Sequence, residues 1–176
     1  MSNAEKNSEE PAKCSDALVD KRFLNAPYPH FTVSVIPFDP ETHECAILWR
    51  GDGVRSAKNC LALPSGLLEH GENFNLSLAR ELSEELGLPF VSRDVTFRTL
   101  YRNIPGDGFD WVIGIWTMPV FNLRDHAKNV EPHKHDWIAV VPIEVLWLLV
   151  QVPGLWSGGL ADALRPVVLK LKDELQ

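Results

Sequence analysis

Between Gly66 and Leu88 the chain reads GLLEHGENFNLSLARELSEELGL, and five of these residues are glutamates. Phe74, Leu78, Leu82 and Leu86 recur at every fourth position, the period of one helix face. On that helix Glu81 and Glu85 lie one turn apart, with Glu84 beside them. Like charges so spaced destabilise a bare helix by roughly a few tenths of a kcal/mol. A divalent cation reverses that penalty, and carboxylate oxygens suit Mg²⁺, or Mn²⁺, better than zinc. Taken alone the run leaves two readings open, a solvated acidic face and a metal site.

The flanking elements decide what such a helix can face. Its limits are predicted at 74 and 86, with Asn73 as N-cap and Gly87 followed by Pro89 as the stop. HFTVSVIPF (30–38) and ECAILWR (44–50) read as a strand pair around an Asp-Pro turn, and CLALP (60–64) follows after the loop GDGVRSAKN. Beyond the helix come DVTFRTLYRN (94–103) and FDWVIGIWTMPVF (109–121), separated by IPGDG, and then WIAVVPI (137–143). The C-terminal stretch gathers Leu160, Leu164, Val167, Val168, Leu171 and Leu175 on one face of a helix that Pro166 should interrupt. Several connections are too short for parallel crossovers. The pattern predicts an α/β (α+β) fold, an α-β-α sandwich around a mixed central sheet.

A length of 176 residues, with 45% hydrophobic and 23% charged, fits one globular domain. Residues 1–26 are polar and aperiodic and read as a mobile tail, leaving 27–176 as the domain. The net charge of −7 argues against a nucleic-acid duplex or an anionic membrane as partner. Three cysteines, Cys14, Cys45 and Cys60, form no C-x-x-C pair, which suits a reducing cytoplasm rather than a disulfide framework or zinc ribbon. The apolar run VLWLLV at 145–150 is too short to span a bilayer.

Seven identities, Gly66, Glu72, Arg80, Glu81, Glu84, Glu85 and Gly87, and two aliphatic positions, Leu82 and Leu88, resemble the signature of the Nudix hydrolases position for position. Chance agreement of that extent is on the order of one in 10⁸ per start position. LPSG before the box and a Trp-bearing strand after it extend the resemblance over residues 28–176, with Ser65 where many relatives carry glycine. The resemblance implies hydrolysis of a nucleoside diphosphate linked to another group, by water attacking phosphorus. It implies Mg²⁺ ions, or Mn²⁺, held by Glu81, Glu84, Glu85 and the carbonyl of Gly66, and an Arg80–Glu72 salt bridge fixing the loop against the helix. The alternative for Arg80 is an exposed i,i+4 partner of Glu84. A homodimer is suggested by the family alone.

The general base is sought among the box glutamates or at Glu131, six residues before Trp137 in NVEPHKHDW and similar in position to the extra glutamate of MutT-type members. Its loop is expected to fold over the metal cluster when substrate binds. His133 and His135 could be called a zinc pair, but read better as strand-entry residues. Arg50 is a candidate phosphate contact, and Trp111, Trp116 and Trp137 are candidates for stacking on a base. NVEPHK looks most like the triphosphate-cleaving members, which makes a (deoxy)nucleoside triphosphate diphosphatase the first reading. Tyr101 lies early for a diadenosine polyphosphate hydrolase, whereas Pro105 keeps an ADP-ribose or nucleotide-sugar pyrophosphatase open. Non-catalytic nucleotide-binding Nudix domains usually lose box glutamates, and here all are present.

Overall fold

The computed structural model describes residues 29–54, 57–89, 94–103, 110–157 and 159–176. The tail read over 1–26, Cys14, the turn at 104–108 and Pro105 lie outside them. The strands are β1 (Pro29–Asp39), β2 (Glu44–Arg50), β3 (Cys60–Ala62), β4 (Ser65–Leu67), β5 (Thr96–Asn103), β6 (Asp110–Pro119) and β7 (His135–Pro142). The helices are α1 (Phe74–Leu86), α2 (Leu123–His126), α3 (Ile143–Leu149) and α4 (Leu160–Glu174).

β1 organises the sheet. It pairs in parallel with β6 from Pro29↔Asp110 to Phe38↔Pro119, while its other edge is shared between β4 and β2, both antiparallel. β2 in turn carries β7 and β3, and β5 closes the far side against β6. The sheet is therefore mixed, as the short connections required. Where β1 passes from β4 to β2, its Val35 N–H donates to Pro64 O at 3.0 Å. The strand read over 60–64 ends at Ala62, and a second short strand follows Pro64 at Ser65–Leu67.

Alternation along the strands feeds two cores. Ala46 and Leu48 of β2 join Val33, Val35, Trp116 and Met118 beneath Leu78, Leu82 and Leu86 of α1. Cys45 and Ile47 face the opposite way, into a core with Ile36, Ile115, Leu146 and the α4 residues Leu164, Val167, Val168 and Leu171. Each fully buried leucine of α1 contributes roughly 1.5–3 kcal/mol, which outweighs the carboxylate repulsion on its outer face. Asn73 caps α1 through its side chain to Leu76 N–H at 2.9 Å, and Gly87 ends it at φ 65°.

Pro166 does not break α4, which runs from Leu160 through Glu174. The buried stripe holds the helix together across the one missing N–H. VLWLLV supplies most of α3, with Val150 as its C-cap.

Candidate functional site

β4 runs antiparallel to β1, pairing Gly66 with Val33, and lays the loop 65–72 along α1. Gly66 is required there by contact. A Cβ at that position would stand 1.7 Å from Glu81 Oε1, so only glycine lets this carboxylate close on the backbone. Glu81 is 5% exposed and Glu85 3% exposed, whereas the Glu84 side chain is 48% exposed. Burial, followed by the neighbouring Glu85 charge, pushes the Glu81 carboxyl up to about 7 even though Arg80 opposes the shift. Such a group is short of positive charge.

Arg80 fixes the loop geometry. Its Nε and Nη2 donate to the two oxygens of Glu72 at 2.9 and 3.1 Å, Nη2 also reaches Leu67 O at 2.9 Å, and Nη1 contacts Glu81. The Glu84 partner at i+4 is present too, at 3.3 Å. The two readings of Arg80 therefore coexist, with the bidentate Glu72 pair the closer. That hydrogen bonding holds the Glu72 carboxyl down at about 2.

Glu85 is held from two sides. Ser65 N–H donates to its Oε2 at 2.9 Å, and His135 Nε2 lies 3.1 Å from its Oε1. Because the contact to Ser65 uses the backbone, serine in place of glycine leaves it intact. The loop bearing Glu131 is docked on the end of α1 by Lys128 N–H to Leu86 O and Val130 N–H to Glu85 O, at 2.9 and 3.3 Å. The loop thus lies beside the acidic cluster. Glu131 pairs with Lys134 Nζ at 2.7 Å. One ligand atom each from Glu85, Glu131 and His135 falls within 4.8 Å of the others.

Two cavities meet here. The acidic one, about 400 Å³, is lined by Gly66, Glu69, Arg80, Glu81, Glu84, Glu85, Arg50 and Lys134. Its neighbour, about 560 Å³, carries Arg50, Lys58, Tyr101, Trp111 and Trp156, and the two share Arg50, Ser65, Gly66 and Leu67. The donor set fits a hard divalent cation: clustered carboxylates, one of them with its pKa raised, on a backbone kept clear by glycine.

Trp137 does not line either cavity. It stacks across strands on Trp49 with ring centroids 5.5 Å apart, 42% exposed, so its expected contact with substrate has no support in its position. Trp116 packs between Phe74 and Phe97 in the α1 core, leaving Trp111 as the cavity-lining member of that trio. His133 is exposed and His135 buried as the first residue of β7, which fits strand entry and not a zinc pair. Sequence reasoning missed Lys134 and the His135–Glu85 contact. The only signal was proximity to Glu131, since the pair is 50 residues apart.

The family model described as NUDIX domain matches residues 28–156. No curated protein matches the chain in sequence. Among solved structures, a MutT protein from Methanosarcina mazei Go1 is similar at 17% identity, covering 85% of this chain and 97% of its own, with TM-score 0.60. A MutT NUDIX hydrolase from Burkholderia pseudomallei aligns at 20% identity over 66% of this chain and 84% of its own, TM-score 0.57. The NUDIX domain of Shewanella oneidensis NrtR, complexed with ADP ribose, aligns at 14% identity over 91% and 96%, TM-score 0.61.

Proposed function

The chain belongs to the NUDIX family and is a Nudix hydrolase, and on that premise we propose that it cleaves a (deoxy)nucleoside triphosphate to the monophosphate and pyrophosphate. One observation supports this reading above others: Glu81, Glu84, Glu85 and Gly66 share a cavity that opens at Arg50 into a larger, aromatic one. Mg²⁺, or Mn²⁺, held by Glu81, Glu84, Glu85 and Gly66 would screen the phosphates and lower the pKa of the attacking water.

The chain's own residues do the rest. Arg80, locked to Glu72 and Leu67 O, keeps the 66–72 loop and Glu81 in register. Glu131, paired with Lys134 and near Glu85, lines neither cavity, and we keep it beside the box glutamates as the candidate to take the proton from water attacking phosphorus. The water oxygen joins phosphorus as the anhydride bond to that phosphorus breaks, giving the monophosphate and pyrophosphate. Arg50 lines both cavities, with its Nε donating to Ala57 O at 3.1 Å, which supports our reading of it as a phosphate contact. No carboxylate lines the larger cavity among the described residues, and its two cations and aromatic walls suit a base and its anionic tail.

A second reading, ADP-ribose or a nucleotide sugar, is favoured by the ADP ribose complex of a similarly folded domain. The complete set of box glutamates argues against a non-catalytic domain. Chromatography of products from a nucleotide panel with Mg²⁺ separates the two: pyrophosphate from a dNTP supports the first, and AMP plus ribose phosphate from ADP-ribose with inert dNTPs overturns it. We propose a cytoplasmic enzyme, consistent with buried free Cys45 and Cys60, and a homodimer, testable by sedimentation. Among the described residues no helix is long and apolar enough to cross a membrane.

A further inference from the structure

His135 has no place in the reading above, yet its side chain is fully buried against a candidate metal ligand. Its Nε2 lies 3.1 Å from Glu85 Oε1, while Ser65 N–H occupies Glu85 Oε2. With Ser65 N–H donating to the same carboxylate, the contact is satisfied by the ring tautomer that carries N–H at Nε2. Its Nδ1 is buried without a partner, and the neutral Nε2–H tautomer is the one that leaves no buried donor unpaired. Each Glu85 oxygen then has one protein donor and keeps a lone pair, and the carboxylate lines the acidic cavity. A leucine would fill the same volume without the desolvation cost of an unpartnered ring nitrogen. What the imidazole adds is the N–H.

We propose that His135 is a positioning residue for Glu85: with the Ser65 amide it clamps the carboxylate so that its remaining lone pairs meet the cation. This rests on the metal reading above. Partners of metal ligands hold them in orientation, and their loss typically weakens metal binding about 10- to 100-fold. Glu131, held by Lys134 at 2.7 Å, sits beside the pair.

The test titrates Mn²⁺ into the full chain by calorimetry, comparing wild type, His135→Leu and His135→Gln. Glutamine carries an N–H donor close to the Nε2 position, whereas leucine keeps bulk alone. His135→Leu should weaken Mn²⁺ binding about 10- to 100-fold with an unchanged circular dichroism spectrum, and His135→Gln should recover most of it. Affinity within twofold of wild type for His135→Leu, or equal losses in both variants, overturns the proposal. A wild-type measurement covers the case in which the leucine variant fails to fold. In ¹⁵N spectra of the imidazoles, His135 Nε2 should stay protonated when Mg²⁺ is added. Loss of that proton, with Nε2 taking up the metal, overturns positioning in favour of direct ligation. Wild type that takes up no Mn²⁺ overturns the metal reading itself, an outcome distinct from a silent variant.

Discussion

Replacing Glu81 with glutamine in the metal-free protein tests the electrostatics of the site apart from its chemistry. Glu81 is nearly buried and its carboxyl is pushed up to about 7 from 4.5, first by burial and then by Glu85. A folded-state pKa above the unfolded one means that the native protein binds the proton more tightly. The associated stability is complete below pH 4.5 and is lost as pH rises through 7. The full shift is worth about 3.4 kcal/mol as a ceiling. Water and salt in the open cavity screen the charge, so about half of that is the working figure. Glutamine keeps an acceptor for Arg80 and cannot ionise. In EDTA at pH 8, Glu81→Gln should therefore melt roughly 3–6 °C above wild type, the shift such a free energy produces in a domain of this size. At pH 4.5 the two curves should nearly coincide. Excess Mg²⁺ at pH 8 should narrow or reverse the gap, because the cation stabilises the carboxylate. A gap that does not change with pH, or a variant less stable at pH 8, would show that the Glu81 charge does not strain the folded site.

Glu84→Gln and Glu85→Gln should each lower kcat by roughly 10²-fold or more in steady-state assays, since each removes a charged ligand from the transition state. Gly66→Ala should cost activity on a similar scale of about 10²-fold with the fold retained by circular dichroism, because the new Cβ displaces Glu81 from 1.7 Å away. Glu131→Gln should depress kcat more than it raises KM. High pH should partly restore that rate if Glu131 is the base, and extra Mn²⁺ if it is a ligand.

The helix that carries the box was legible to the residue, Phe74–Leu86 between Asn73 and Gly87, because a four-residue apolar period and both caps agree. β2 was equally clear at Glu44–Arg50. β4 was not, since Ser65–Leu67 has no strand pattern and is extended only through pairing with β1. α3 was hidden by a continuous apolar run that carries no period. Within the site, Glu72 and Arg80 were readable as a pair from the box. The clamp on Glu85 was not, because Ser65 acts through its backbone and His135 comes from a distant strand. Trp137 was ambiguous for the opposite reason: an aromatic beside a functional loop is as well suited to cross-strand stacking, which it makes on Trp49, as to a ligand.

On the proposed function, the carboxylates of α1 serve a cation that hydrolysis requires. That requirement is tested most directly by following pyrophosphate release from a dNTP panel in Mg²⁺ and then in excess EDTA, with Mg²⁺ restored afterwards. Turnover should appear in Mg²⁺, cease on chelation and return when the ion is added back. Undiminished turnover in excess EDTA would contradict the requirement.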